Sequence, residues 1–153
     1  TRVDFGSALT DQNVSSKYEL AVSTFCAEAF GDAITTVFRR TYPFFRSKAL
    51  KVQLKHNFNL FLELDRDFHL LLASANKNQQ IRDIIYEMNT GIYRVFNFFV
   101  YKLPKTGEIS FREHLEILEA IEEKKASLAK KKMEEHIGKI ATRMKEVMAL
   151  KST

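Results

Sequence analysis

Residues 62–72 read LELDRDFHLLL, and this stretch decides the class of fold. The apolar residues in and around it recur with the 3.6-residue period of an α-helix, at Phe58, Phe61, Leu62, Phe68 and Leu72. This period predicts a helix over residues 58–75 that buries one side. The polar run Asn76-Lys77-Asn78 is expected to end it.

The rest of the chain has the same helical character. Five glycines and two prolines in 153 residues favour long helices over a turn-rich β fold, and no strand pattern occurs. A Ser-x-x-Glu capping box at Ser110-Phe111-Arg112-Glu113 predicts the start of another helix. The remaining helices are predicted at about 14–42, 44–57, 79–102 and 126–150. We therefore expect an all-α fold, an antiparallel bundle of about six to seven helices.

Length and composition indicate one domain without a membrane segment. Residues 1–13 show little periodicity and are interpreted as a linker from a missing N-terminal region, and residues 14–153 as the helical domain. The lack of an initiator Met suggests a fragment. No apolar stretch approaches the roughly 20 residues of a membrane span, and no signal-peptide layout begins the chain. The single cysteine, Cys26, is predicted to be a small core residue and fits a cytoplasmic location.

The net charge of +5 is concentrated near the C-terminus. Residues 124–151 hold nine Lys/Arg and three Glu, a balance of +6, which leaves −1 for the remainder. Such a segment could attract DNA or an acidic membrane surface. We favour the simpler interpretation, a solvated helix face.

Three of the four histidines lie in strongly helical segments. His69 follows Asp65 by four positions, so both project from one helix face with about 6 Å between their Cβ atoms. His114 and His136 are 22 residues apart in consecutive predicted helices, and each borders an apolar stripe. An Asp-His pair by itself is more typical of a salt bridge. Several buried polar groups need a common partner, however, and these residue types suit a divalent ion such as zinc, nickel or manganese.

Two segments resemble a known family. Residues 62–78 are similar to the D-x-x-F-H…L…A-S-G-N signature, and residues 113–121 with 133–137 to the E-H-x-x-I-x-x-A-I…M-x-x-H-I/L signature, of the FCD domain. The FCD domain is the ligand-binding part of FadR-like, GntR-type transcription regulators. The resemblance implies that Asp65, His69, His114 and His136 are the metal ligands. It also implies a small carboxylate effector, a homodimer, and DNA binding only through a winged-helix domain absent from this chain.

The effector site is less defined. Candidate contacts on the long helix 79–102 are Asn89, Tyr93, Arg94 and Asn97, although half of any helix faces solvent. The pocket around the ion is expected to be aromatic and aliphatic, with Phe68, Leu72 and Phe96 among its lining residues. Two features depart from the family pattern: Lys77 replaces a glycine, and no Arg or Lys occurs between Lys17 and Arg39, where the family carries an effector-binding arginine.

Two other functions remain open. A di-iron bundle enzyme needs Glu-x-x-His on two helices, but the residues three positions before the histidines are Gln53, Arg66, Phe111 and Met133. A mononuclear hydrolase needs a base, for which Glu113 or Asp67 could be nominated. The other open function, after a metalloenzyme of either kind, is a structural interaction module that binds no metal. We predict a sensing domain, not an enzyme.

Overall fold

The computed structural model describes residues 20–21, 23–28, 58–75, 78–99 and 106–150. Within these ranges there are four long helices and no strand: α1 (Phe58–Ser74), α2 (Gln79–Phe99), α3 (Thr106–Glu122) and α4 (Ala126–Leu150). Residues 20–21 and 23–28 are helical as well. The all-α prediction is confirmed, with five helices rather than six or seven in the described part. The linker 1–13 and the helix predicted over 44–57 lie outside the described residues.

Helices α1 and α2 form the first hairpin, and the break between them is where the sequence places it. Asn78 caps α2, because its Oδ1 accepts hydrogen bonds from the backbone N–H groups of Gln80 at 3.0 Å and Ile81 at 3.4 Å. An asparagine in this position satisfies amides that have no partner inside the helix. The short connection keeps α2 packed against α1.

The predicted start of α3 at Ser110 is wrong. The helix begins at Thr106, with Glu108 in its first turn, where a carboxylate is favourable. Ser110 therefore lies in the second turn and is buried, at 1% exposure. The Glu113 side chain does not return to a helix terminus, because it pairs with His136 on α4. Residues 110–113 match the capping-box motif, but they lie inside the helix and not at its start.

A tight turn joins α3 to α4. Lys125 N–H donates to Ala120 O and Lys124 N–H to Ile121 O, both at 2.9 Å, which is the Schellman pattern of a helix C-terminus. This pattern places Lys124 in the left-handed region, with φ of 58°. Glycine usually occupies this position, because a Cβ is unfavourable there.

The core lies where α1, α3 and α4 meet, and α1 joins the two hairpins by packing against both α2 and α3. Its largest fully buried apolar side chains are Phe68, Ile85, Ile117, Leu118, Ile121, Met133 and Met144. The helical residues 23–28 add Cys26, which is fully buried as predicted and donates its thiol hydrogen to Leu72 O at 3.7 Å. Burial raises the pKa of this thiol to about 12, so it stays protonated. None of the described helices is long and apolar enough to cross a membrane.

Candidate metal centre

The four residues singled out from the sequence meet in the core. Asp65 and His69 lie one turn apart on α1, His114 is on α3 and His136 is on α4. Each offers one potential ligand atom, and these atoms all lie within 4.8 Å of one another. His114 Nε2 is 3.1 Å from His136 Nε2 and 3.4 Å from Asp65 Oδ1. Three helices therefore bring three imidazoles and one carboxylate to a single point.

This cluster is shielded from solvent. His136 and His114 are 0% and 1% exposed and His69 is 6% exposed, while the Asp65 side chain retains 18%. Buried polar groups reduce stability unless they find partners. Asp65 is therefore the most exposed of the four residues.

Aromatic packing holds the imidazole rings in defined orientations. The Phe68 ring stacks on His114 with 3.9 Å between centroids and 9° between planes. His69 is nearly perpendicular to His114, at 88°, and within 20° of parallel to His136. Rings that are packed in this way cannot rotate freely, which preorganises their nitrogen atoms for a common ligand.

The electrostatics favour neutral imidazole at His114. Burial lowers its pKa well below 6.5, and the neighbouring His136 and His69 lower it further, since each would repel a second positive charge. Neutral imidazole is the form that coordinates a metal ion.

Glu113 is a functional candidate that the sequence did not assign to this centre. Its Oε2 lies 2.7 Å from His136 Nδ1, and its Oε1 lies 3.1 Å from Lys139 Nζ and 3.7 Å from an Arg143 nitrogen. Burial alone would raise the pKa of Glu113, but the hydrogen bonds and charges of His136 and Lys139 outweigh burial, so the pKa is lowered. From the sequence, Glu113 was expected to be part of a helix-capping box or the base of an alternative enzyme.

The donor set suits a divalent transition metal. Imidazole nitrogens are typical ligands of zinc and nickel, and a carboxylate oxygen adds the harder donor that manganese prefers. Asp65, His69, His114 and His136 are the residues that could hold such an ion.

The predicted effector contacts are only partly described. Asn89 is buried, and its side-chain amide donates to Ile85 O at 3.0 Å within its own helix. Tyr93 is half-buried, with the Arg66 guanidinium 5.1 Å from its ring centroid. The side chains of Arg94, Phe96 and Asn97 lie outside the described set. An effector-binding role for these residues and the lining of the pocket stay predictions.

Comparison with known proteins identifies the family. The family model of the FCD domain matches residues 29–139, which is 111 of the 153 residues. Both signature segments and all four clustered side chains lie within this span. No curated protein and no solved structure matches the chain. The matched span covers well over half of the sequence, and the chain belongs to the FCD domain family, the C-terminal domain of FadR-like regulators of the GntR family.

Proposed function

We propose that this domain binds one divalent metal ion through Asp65, His69, His114 and His136, and that it senses a small carboxylate which binds at the ion. The observation that carries the proposal is the convergence of four potential ligand atoms within 4.8 Å, contributed by three helices. Membership of the FCD family supports a regulatory, ligand-sensing role. Zinc, nickel and manganese are all compatible with these donors.

Charge explains why the ligand should be an anion. A divalent ion with the single negative charge of Asp65 leaves +1 in a site where the three imidazoles are buried. The bound ion would supply a positive charge, and open positions, to hold a carboxylate. The absence of Arg and Lys between residues 17 and 39 makes the ligand depend more on the metal than on a guanidinium group.

The arrangement also supplies a way to pass on a signal. Two of the four side chains belong to α1, in the first hairpin, and two belong to the α3–α4 hairpin. A ligand that changes how these four side chains are held therefore acts on the packing between the two hairpins. By resemblance to the family, the receiver would be a winged-helix domain, in a homodimeric regulator.

A catalytic function receives no comparable support. Glu113, one of the two nominated bases, is engaged by His136, Lys139 and Arg143. Asp67, the other, is largely exposed and lies 3.6 Å from Arg66. Neither carboxylate belongs to the four residues whose potential ligand atoms converge.

Elemental analysis of protein purified without chelator tests the metal site. We expect one divalent ion per chain, retained by Asp67→Ala and lost by Asp65→Ala. These two variants each remove one carboxylate from the same turn of α1, but Asp67 is largely exposed and is not part of the cluster. Wild-type protein that carries no ion and takes none up on titration would contradict the proposal.

Thermal shift with small di- and tricarboxylates and hydroxy acids tests sensing. A ligand at a hundred times its Kd stabilises the folded state by about 2.7 kcal/mol. We expect this stabilisation in metal-loaded protein and a much smaller one after chelation. Equal shifts in loaded and stripped protein would mean that the ion is structural and that the sensing mechanism is wrong.

A further inference from the structure

Glu113 lies beside the candidate metal centre without belonging to its donor set. We propose that Glu113 is a positioning residue for His136: its carboxylate accepts a hydrogen bond from Nδ1–H and so keeps Nε2 of the ring available for the ion. This inference rests on the proposed metal site and adds a residue to it.

The hydrogen bond selects one tautomer of His136. A neutral imidazole carries a single N–H, and the 2.7 Å contact with Glu113 Oε2 places that hydrogen on Nδ1. Nε2 then keeps its lone pair and points into the cluster, where it is 3.1 Å from His114 Nε2. In the other tautomer, the hydrogen would lie on Nε2, between the two rings, and the bond to Glu113 would be lost. A carboxylate on the far nitrogen is a common way to orient a metal-binding histidine.

Glu113 is itself held in place by two cations. Lys139 and Arg143 follow His136 by three and seven positions, so all three side chains lie along one side of α4. His136 Nδ1 contacts Oε2 of the Glu113 carboxylate. Lys139 Nζ lies 3.1 Å from Oε1, and a guanidinium nitrogen of Arg143 lies 3.7 Å from the same oxygen. The Glu113 side chain is only 9% exposed. Both cations lie on the side of Oε1 and leave Oε2 to His136.

Glu116 provides a matched comparison within the same hairpin. It lies one turn after Glu113 on α3 and also reaches α4, where its Oε2 accepts a hydrogen bond from Lys132 Nζ at 2.7 Å. Its side chain is 41% exposed, and in the described part of the chain its partner is a lysine rather than a histidine. Loss of Glu116 therefore removes an interhelical ion pair without changing the metal centre.

Competition with a chromophoric chelator, with Zn²⁺ as the probe, measures the effect on affinity. We expect Glu113→Ala to weaken Zn²⁺ binding by about 10- to 100-fold, the usual cost of losing such a partner. Glu113→Gln should lie between wild type and Glu113→Ala, because its amide oxygen can accept the same hydrogen bond. Glu116→Ala should bind like wild type.

Nitrogen NMR of the imidazole rings supplies a readout that is independent of metal loading. In metal-free wild-type protein, His136 should show a protonated Nδ1 and an unprotonated Nε2. Glu113→Ala should lose this preference, and Glu116→Ala should keep it. If Glu113→Ala does not fold, the tautomer of His136 in the wild type and the Zn²⁺ affinity of Glu113→Gln still test the role of Glu113.

The outcomes separate this inference from the proposed function. Wild-type protein that binds no Zn²⁺ would overturn the metal site, and the role of Glu113 with it. Wild-type protein that binds Zn²⁺, with Glu113→Ala and Glu116→Ala equal in affinity, would overturn only the role of Glu113. A hydrogen on Nε2 of His136 in the wild type would also overturn that role.

Discussion

The α3–α4 hairpin has two ends of different character. Near the turn, Ile117, Ile121, Ala129 and Met133 form an apolar layer, each at most 1% exposed. Further from the turn, within the same two helices, polar residues are buried as well, Glu113, His114 and His136, beside apolar ones such as Ile140 and Met144. Apolar burial stabilises the fold without further partners, whereas buried polar side chains need hydrogen bonds or an ion. In this hairpin, one end therefore stabilises the fold by apolar burial alone. The stability of the other end also depends on the partners of its buried polar side chains.

Truncation in the apolar end should produce the largest effect. Ile121 is fully buried, and we expect Ile121→Ala to lower the free energy of unfolding by about 2–5 kcal/mol through lost burial and the cavity that remains. The loss should be the same in excess chelator and in excess Zn²⁺, because the side chain is about two helical turns from His114. Urea unfolding in both conditions measures it. A loss that differs between the two would show that the ends of the hairpin are coupled.

Acidification should act on the polar end. In metal-free protein the folded state holds His114 neutral, since its pKa is well below 6.5, whereas an unfolded chain protonates it at about that pH. Below about pH 6.5 the unfolded state then binds more protons than the folded state. The free energy of unfolding therefore has its full value above pH 6.5 and decreases as the pH falls towards the folded pKa of His114. The slope for one such group approaches 1.4 kcal/mol per pH unit.

Urea unfolding in chelator between pH 7.5 and 5 measures this slope. Ile121→Ala should keep it, because this substitution leaves the polar end unchanged, and His114→Leu should reduce it. An equal slope in wild type and His114→Leu would assign the acid sensitivity to other groups.

The fold was largely predictable because its signals are local. The apolar period predicted α1 over 58–75, and the structure has Phe58–Ser74. The helices that flank the predicted break end at Ser74 and begin at Gln79, and the helix predicted over 126–150 is Ala126–Leu150 in the structure. The start of α3 was wrong because Ser110 and Glu113 match a capping box when only neighbours are considered. Their true environment is set by α4, which adjacent residues in the sequence do not reveal.

In the candidate site, too, the features set by local sequence were predicted and the one set by a neighbouring helix was not. Asp65 and His69 form a pair that helical spacing alone places on one face, and apolar stripes indicated that His114 and His136 point inward. The partner of His136 was not predicted. Lys139 and Arg143 lie on the same side of α4 as His136, which suggests a carboxylate on the neighbouring helix. Spacing alone does not select among the glutamates of α3, because that choice depends on the register between the two helices.

The smallest expected effect concerns the turn that closes the apolar end. Lys124 has φ of 58°, a conformation that costs a residue with a Cβ roughly 1–2 kcal/mol. Glycine adopts it freely but loses more conformational entropy on folding, so we expect Lys124→Gly to raise the free energy of unfolding by about 0.5–1 kcal/mol. Lys124→Ala removes the same charge and keeps the Cβ, so it should give little or no gain.

Zn²⁺ affinity should be unchanged in both variants, because Lys124 is exposed at the end of the hairpin that carries no donor residue. Urea unfolding and chelator competition on the same protein samples make the comparison direct. An equal gain from Ala and Gly would assign the effect to charge in the basic segment 124–151 rather than to the backbone. A change in Zn²⁺ affinity would show that the closing turn controls the spacing of α3 and α4 at the metal centre, and that the two ends of the hairpin do not act independently.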